Sequence, residues 1–151
     1  MYTKKRFVTI KLIAMLLLVA MLCPVVALAA ESRASAYLSS YSAYVYPAAW
    51  GKVQVWFDVT GTGDMDEIGA LEIRIYESTD NVNFTWVKTY DYTDYSGMLG
   101  YDDFSHTGHI DYSGTIGRYY KAYVCIWAGK NGAGDTRYFW TSAKKATLLA
   151  Q

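Results

Sequence analysis

Carboxylate and imidazole side chains are concentrated in one run that holds both histidines of the chain. The run reads Asp102-Asp-Phe-Ser-His106-Thr-Gly-His109-Ile-Asp111. Imidazole nitrogens and carboxylate oxygens are ligands for zinc and similar ions. His106 and His109 are an odd number of residues apart, so on a regular strand their side chains point to opposite faces. We therefore predict no metal site and interpret the run as solvated polarity; a small secreted hydrolase or metal-binding protein is the alternative.

Other patterns of reactive residues are weaker still. No G-x-S-x-G turn accompanies the serines, and the adjacent carboxylates Asp66 and Glu67 follow a glycine-rich stretch, where charge normally faces water. A hydrolytic nucleophile needs a base that a third group orients, and no local pattern indicates one. The segments 61–67 and 129–135 contain oxygen ligands without the spacing of a calcium-binding loop. We predict a protein that is not an enzyme and that uses no cofactor or metal.

Aromatic side chains carry the main functional hypothesis. In the stretch 117–129 the even positions are core-compatible, which leaves Tyr119, Tyr123 and Trp127 on the outer face of one strand. We expect Tyr76 and Trp140 to lie beside them on the neighbouring strands. Rigid aromatic rings can form a platform for sugar rings or a hot spot for a protein partner. The alternative is structural, since aromatic cross-strand pairs each stabilise a sheet by about 0.2 to 1 kcal/mol.

The N-terminus has the pattern of a secretory signal peptide. Four basic residues within the first eleven precede an uncharged apolar run, residues 12–28, and Ala27 and Ala29 are small residues at the cleavage-determining positions. We predict a signal helix over residues 1–29, cleavage after Ala29 or Ala30, and secretion from the cell. An uncleaved anchor is the alternative, although the run is short of the roughly 20 apolar residues of a spanning helix. The protein would then contact a membrane only through this uncleaved segment.

Removal of the signal peptide changes the charge and the cysteine content. The signal holds four of the 14 basic residues and none of the 14 acidic ones, so the remaining 10 basic and 14 acidic residues give a net charge of −4. A weakly acidic surface argues against nucleic acid or anionic lipid as the main partner. Cys125 is then the only cysteine, so no internal disulfide can form. We expect its thiol to pack as a small apolar group; joining two chains is the alternative.

Short alternating segments predict the fold. Val53, Val55, Phe57 and Val59 alternate with polar or exposed positions, which is typical of a strand with one buried face. We predict strands at 37–46, 52–60, 70–77, 85–92, 108–112, 117–129 and 137–143, turns at 61–67 and 78–83, a loop at 94–106 with a short strand near its middle, and a hairpin loop at 129–135. This pattern predicts an all-β, antiparallel two-sheet sandwich of about seven strands. The domain would span 37–147, after a polar lead at 30–36 and before a frayed tail at 148–151.

Two motifs resemble a known superfamily. Gly117-Arg-Tyr-Tyr120-Lys-Ala-Tyr-Val-Cys-Ile resembles the sixth strand of fibronectin type III and related immunoglobulin-like domains. The segment 71–80, with Trp86 after a short loop, is similar to the third strand of bacterial members, and the whole layout resembles small secreted proteins of Gram-positive bacteria. The resemblance implies an immunoglobulin-like sandwich in which Tyr120 is the corner tyrosine, its hydroxyl bonded to backbone near the start of the strand. The antibody-type disulfide does not fit, because Cys125 has no partner.

The functional expectation combines these observations. We predict a secreted β-sandwich module that binds an extracellular glycan or protein through the face that carries Tyr119, Tyr123 and Trp127. The first alternative is an extracellular structural or self-associating protein, a homodimer with Cys125 across its contact. We expect no nucleic-acid partner.

Overall fold

The computed structural model describes residues 35–149, and this part of the chain is all-β. The predicted signal peptide, with Ala27 and Ala29, lies outside the described residues. No helix among residues 35–149 has the length and apolar character needed to cross a bilayer. The seven antiparallel strands are β1 Leu38–Pro47, β2 Lys52–Ser78, β3 Thr85–Asp91, β4 Leu99–Ser113, β5 Tyr119–Lys130, β6 Ala133–Trp140 and β7 Lys144–Lys145. A short 3-10 turn, Ala49–Gly51, precedes β2.

The long strand β2 pairs with different neighbours along its two halves. In the first half, Val55 lies opposite Val45 of β1 on one side and opposite Ile110 of β4 on the other. In the second half, Ile73 lies opposite Tyr90 of β3 and Val124 of β5. Strand β5 then pairs with β6 and, at its beginning, with β7. The strands thus form two groups, β1–β2–β4 and β3–β2–β5–β6, that share β2.

A single apolar core joins the two groups. The predicted inward residues of β2, from Val53 to Val59, are essentially inaccessible to solvent, and so are Tyr120, Ala122, Val124 and Ile126 of β5. All of them belong to one cluster of buried side chains. The inward phase predicted for these two strands is therefore confirmed. Burying each aliphatic side chain of this size contributes about 1.5–3 kcal/mol.

Three connections predicted from the sequence are either replaced by strand or shortened in the structure. The predicted turn at 61–67 is wrong, because β2 continues through it; Met65 is buried there and pairs with Asp103 of β4. The loop predicted at 94–106 is also shorter than predicted, because the residues from Leu99 onward belong to β4. The hairpin predicted at 129–135 is a two-residue turn, Asn131-Gly132, with φ values of 53° and 75°. Positive φ at both central residues gives the turn type that matches the twist of two paired strands.

A bulge interrupts the pairing of β3 with β2. Ile75 pairs with Lys88 and Tyr76 pairs with Trp86, so Val87 is an extra residue without a partner across the ladder. A bulge of this kind shifts the alternation by one residue. The extra residue Val87 and Tyr90, which is an odd number of positions further along the strand, consequently both pack against the core.

Candidate functional site

The outer face of β2, β5 and β6 carries five aromatic rings around one lysine. The aromatic patch, as we call it, consists of Tyr76, Phe84, Lys121, Tyr123, Tyr138 and Trp140. The strand register brings them together, because Lys121 lies opposite Tyr76, and Tyr123 lies opposite Trp140. Phe84 is added from the turn before β3. Alternation therefore turns these side chains away from the core that their strands share.

Four rings of the patch contact one another in a continuous row. Tyr123 stacks on Tyr138 with ring centroids 5.9 Å apart and lies 4.9 Å from Trp140. Tyr76 meets Trp140 edge to face at 4.8 Å. Tyr138 and Trp140 remain 59% and 48% exposed in spite of these contacts. The patch is therefore both rigid and accessible.

Lys121 holds a positive charge at the centre of the patch. Its Nζ lies 4.3 Å from the ring centroid of Phe84 and 4.4 Å from that of Trp140. An ammonium over an aromatic face is attracted by about 0.5–1 kcal/mol at an exposed site. Two such contacts restrict a side chain that would otherwise be mobile, so the charge is presented in a defined position.

An ion pair borders the patch on β2. Arg74 and Glu72 meet through two contacts, Nε to Oε1 at 2.7 Å and Nη2 to Oε2 at 3.1 Å. The hydrogen bond with Glu72 raises the pKa of Arg74. Arg74 lies opposite Tyr123 in the ladder, so the two side chains leave the same face of the sheet. The charges of Arg74 and Glu72 at the rim of the patch thus neutralise each other.

Cys125 lies opposite Tyr138 across the β5–β6 ladder. The thiol is buried, and this burial raises its pKa. The side chain packs beneath the patch and is not presented at its surface.

The structure brings together only three of the five predicted ligand-binding residues. Tyr76, Tyr123 and Trp140 belong to the patch, whereas Tyr119 lies at the start of β5, where Lys145 Nζ is 5.5 Å from its ring. Trp127 is four residues beyond Tyr123, about 13 Å along a strand. Sequence reasoning missed Phe84 and Lys121, since a turn residue has no periodic signal and a lysine on the outer face of a strand is ordinary.

Trp127 packs against the backbone of the β5–β6 hairpin. A Cβ atom built on Gly134 would lie 2.4 Å from Trp127 Cη2, and one on Gly129 would lie 2.5 Å from Cζ2. The indole therefore occupies the space that the two glycines leave open. Its Nε1 is buried without a hydrogen-bond partner among the described residues. The ring also borders a cavity of about 320 Å³ that includes Asp66 and Glu67.

Tyr120 is held by polar contacts at the start of β5. The Thr115 N–H donates to its hydroxyl at 2.7 Å, and the hydroxyl donates to Glu77 Oε2 at 3.1 Å. Burial raises the pKa of this phenol. Glu77 is in turn bonded to Arg118. This arrangement links the loop before β5 to the end of β2, which is a structural role.

The two histidines lie on opposite faces of β4. His106 Nε2 donates to the Gly97 carbonyl at 2.8 Å, and its ring lies 5.8 Å from that of buried Phe57. His109 instead stacks on Trp56, 4.4 Å away on the outer face. Within residues 35–149 no group of three or more His, Cys, Asp or Glu side chains is placed to hold a metal ion.

Comparisons of the chain with protein-family models, with curated proteins and with solved structures gave no match.

Proposed function

We propose that the chain is a secreted β-sandwich module of the fibronectin type III or immunoglobulin-like kind, which binds an extracellular glycan or protein through the aromatic patch. It acts without a cofactor or metal and is not an enzyme. Secretion rests on the apolar run and the small residues before position 30.

The strand pairing supports the sandwich. A sandwich needs two strand groups that pack face to face over a shared core. The groups β1–β2–β4 and β3–β2–β5–β6 contribute to one buried cluster. Tyr41 of β1 and Phe139 of β6 belong to strands that do not pair, yet their ring centroids are 5.4 Å apart. Packing between unpaired strands is the contact that two facing sheets make.

The single observation that carries the binding proposal is the exposure of Tyr138 and Trp140 in a ring cluster already fixed by its neighbours. Binding surfaces favour such residues because tyrosine and tryptophan supply large contact areas and lose little side-chain entropy. Fixed rings reduce that entropic cost further.

The ring geometry favours a protein over a glycan. Trp140 is inclined by 47° to Tyr123 and by 62° to Tyr76, so the rings do not form one flat platform. Lys121 also occupies a face of Trp140. An uneven surface of inclined rings with a central charge fits a protein pocket or side chain better than the flat face of a sugar.

Replacement of the two exposed rings tests the proposal. The double variant Tyr138→Ala, Trp140→Ala is compared with Tyr44→Ala, whose ring is similarly exposed on the distant strand β1. Labelled proteins are applied to a glycan array and to intact bacterial cells before and after protease treatment. We expect the double variant to lose at least about tenfold in binding, as hot-spot residues do, and the control to bind normally. Undiminished binding by the double variant would refute the role of the patch.

A second copy of the chain is one protein partner that the structure favours specifically. The exposed rings lie on or beside β6, which is at the edge of its strand group in the described part of the chain. Edge strands readily pair with another chain. Sedimentation equilibrium should then show a dimer that Trp140→Ala dissociates, whereas a monomer at millimolar concentration would exclude the homodimer.

A further inference from the structure

Three separate segments meet at one end of the molecule. The Trp50 N–H donates to the Leu148 carbonyl at 2.9 Å, and the Gly51 N–H donates to the Thr147 carbonyl at 2.9 Å. The Gly114 N–H, just after β4, donates to the Gly51 carbonyl at 3.1 Å. The turn before β2, the loop between β4 and β5, and the chain after β7 are thereby joined. The tail predicted to fray from residue 148 begins within this network.

This end presents four large apolar side chains to solvent. We call it the apolar end, and its members are Trp50, Ile116, Leu148 and Leu149, which are 77%, 51%, 50% and 73% exposed. A Cβ on Gly51 would lie 3.1 Å from Ile116 Cγ1, so the turn that carries Trp50 touches the loop that carries Ile116. Single exposed apolar residues are normal, but a group at one place marks an interaction surface.

The backbone at Trp50 is strained, although the indole is not buried in the core. Its φ of 64° and ψ of 33° lie in the left-handed region, which is an outlier for a bulky side chain. Strained residues persist where the surrounding structure holds them, and they cluster at functional sites. Here the hydrogen bond to Leu148 holds the backbone, while the indole remains almost free of protein contact.

Charge is distributed unevenly between this end and the middle of β2. The segments that form the apolar end, 47–52, 113–119 and 141–149, hold four basic residues and no acidic one. The segments 58–67, 101–103 and 130–135 hold seven acidic residues and one basic residue. Thr60 is about 26 Å along β2 from Lys52, at the usual strand rise. The net charge of −4 expected after removal of the signal peptide therefore combines one basic region with one acidic region.

Neighbouring carboxylates leave three of the four basic residues available. Arg118 is paired with Glu77. Asp80, in the turn after β2, accepts hydrogen bonds from the Val82 and Asn83 N–H groups of its own turn. The remaining basic residues, Lys52, Lys144 and Lys145, are exposed and belong to the same segments as the apolar side chains.

We propose that the apolar end, with Lys52, Lys144 and Lys145 around it, binds the surface of a lipid bilayer that carries anionic headgroups. Tryptophan and leucine partition into the boundary between headgroups and acyl chains, and lysines beside them attract anionic lipids. The charge complementarity favours this partner over a neutral surface. An anionic bilayer as partner departs from the expectation that the weakly acidic net charge argues against anionic lipid.

The test uses protein released by cells that express the full chain. Its sedimentation with phosphatidylcholine vesicles is compared with its sedimentation with vesicles containing one quarter phosphatidylglycerol. We expect binding to the anionic vesicles that weakens in high salt, since electrostatic attraction to the surface is screened. Lys144→Gln and Lys145→Gln should each weaken it by about fivefold, the effect expected for one lysine at an anionic surface.

The apolar contribution is tested separately. Trp50→Asn removes the indole, and asparagine tolerates the left-handed backbone, so the variant should keep the fold. Leu149→Ser is a second variant outside this strained turn. Each should weaken vesicle binding several-fold, while Tyr44→Ala, which removes an exposed ring from β1 outside both the aromatic patch and the apolar end, should bind as the unaltered protein does. Equal binding by Trp50→Asn, Leu149→Ser and the unaltered protein would overturn the proposal, as would an equal loss in Tyr44→Ala. Any retained N-terminal segment is common to all variants and cannot produce a difference between them.

Discussion

At the scale of single residues, Tyr120 shows how one hydroxyl can fix a loop. It accepts a hydrogen bond from the Thr115 N–H and donates one to Glu77. We expect Tyr120→Phe to lower the free energy of unfolding by about 1–3 kcal/mol, because it removes two part-buried hydrogen bonds, one of them to a carboxylate. Urea denaturation measures the change. Tyr101→Phe, at an exposed ring, is the matched control and should leave the urea midpoint unchanged. An unchanged midpoint for Tyr120→Phe would contradict the structural role of this hydroxyl.

Two carboxylates, those of Asp80 and Asp135, make the stability of the fold depend on pH in acid. The Asn83 N–H, the Ser78 hydroxyl and the Val82 N–H lower the pKa of Asp80, and the Ser35 hydroxyl and Tyr37 N–H lower that of Asp135. Their folded pKa values thus lie below the unfolded value near 4, so the folded state binds fewer protons. Stability from both groups is present above pH 4 and is lost as the pH falls through their folded pKa values.

Melting temperatures between pH 6 and pH 2 check this expectation. The double variant Asp80→Asn, Asp135→Asn should melt lower at pH 6 and should lose less stability on acidification than the unaltered chain. An identical slope in both proteins would show that other groups cause the acid sensitivity.

At the scale of elements, the β5–β6 hairpin depends on glycines beneath Trp127. Gly134→Ala places a Cβ 2.4 Å from the indole, a distance that forces the ring or the strand to move. We expect a loss of about 1–3 kcal/mol, as for other overpacked sites. Gly63→Ala is the control, because nothing lies within 4 Å of the added carbon; it should stay within about 0.5 kcal/mol of the unaltered chain. Thermal unfolding of the two variants measures the contrast.

Strands were predictable where one row of residues is plainly apolar. The first half of β2 and the whole of β5 have such a row, and their inward faces follow the alternation. The middle of β2 could not be predicted, since its glycines and carboxylates have turn composition while pairing to β4 supplies the backbone partners. The extra residue Val87 is likewise a property of the paired ladder rather than of β3 alone.

Site residues were predictable to the extent that they share a strand face. Tyr76, Tyr123 and Trp140 follow from alternation, whereas Trp127 was assigned to the same surface because alternation ignores distance along the strand. The members of the apolar end come from three segments far apart in sequence, each of which looks like an ordinary loop. Only the hydrogen bonds that join these segments place Trp50 beside Leu148.

At the scale of the whole molecule, the common core predicts one cooperative unfolding transition. Val55 lies in the first strand group and Val124 in the second, and both are fully buried in the same cluster. We expect Val55→Ala and Val124→Ala each to lower the unfolding free energy by about 1–3 kcal/mol. Far-ultraviolet circular dichroism and tryptophan fluorescence should give coincident curves for both variants. Separate transitions in either variant would mean that the two groups fold independently.

The buried thiol of Cys125 can report how often the edge formed by β5 and β6 opens. Alkylating reagents need a thiolate in contact with solvent, so modification of Cys125 has to wait until Tyr138 and β6 move away from β5. The rate of labelling under native conditions, with the site identified by peptide mass, therefore reports how often this edge opens. We expect Trp140→Ala to accelerate labelling more than it lowers the global unfolding free energy, because the contact of Trp140 with Tyr123 joins the two strands. Labelling that tracks only global unfolding would show that the edge never opens by itself.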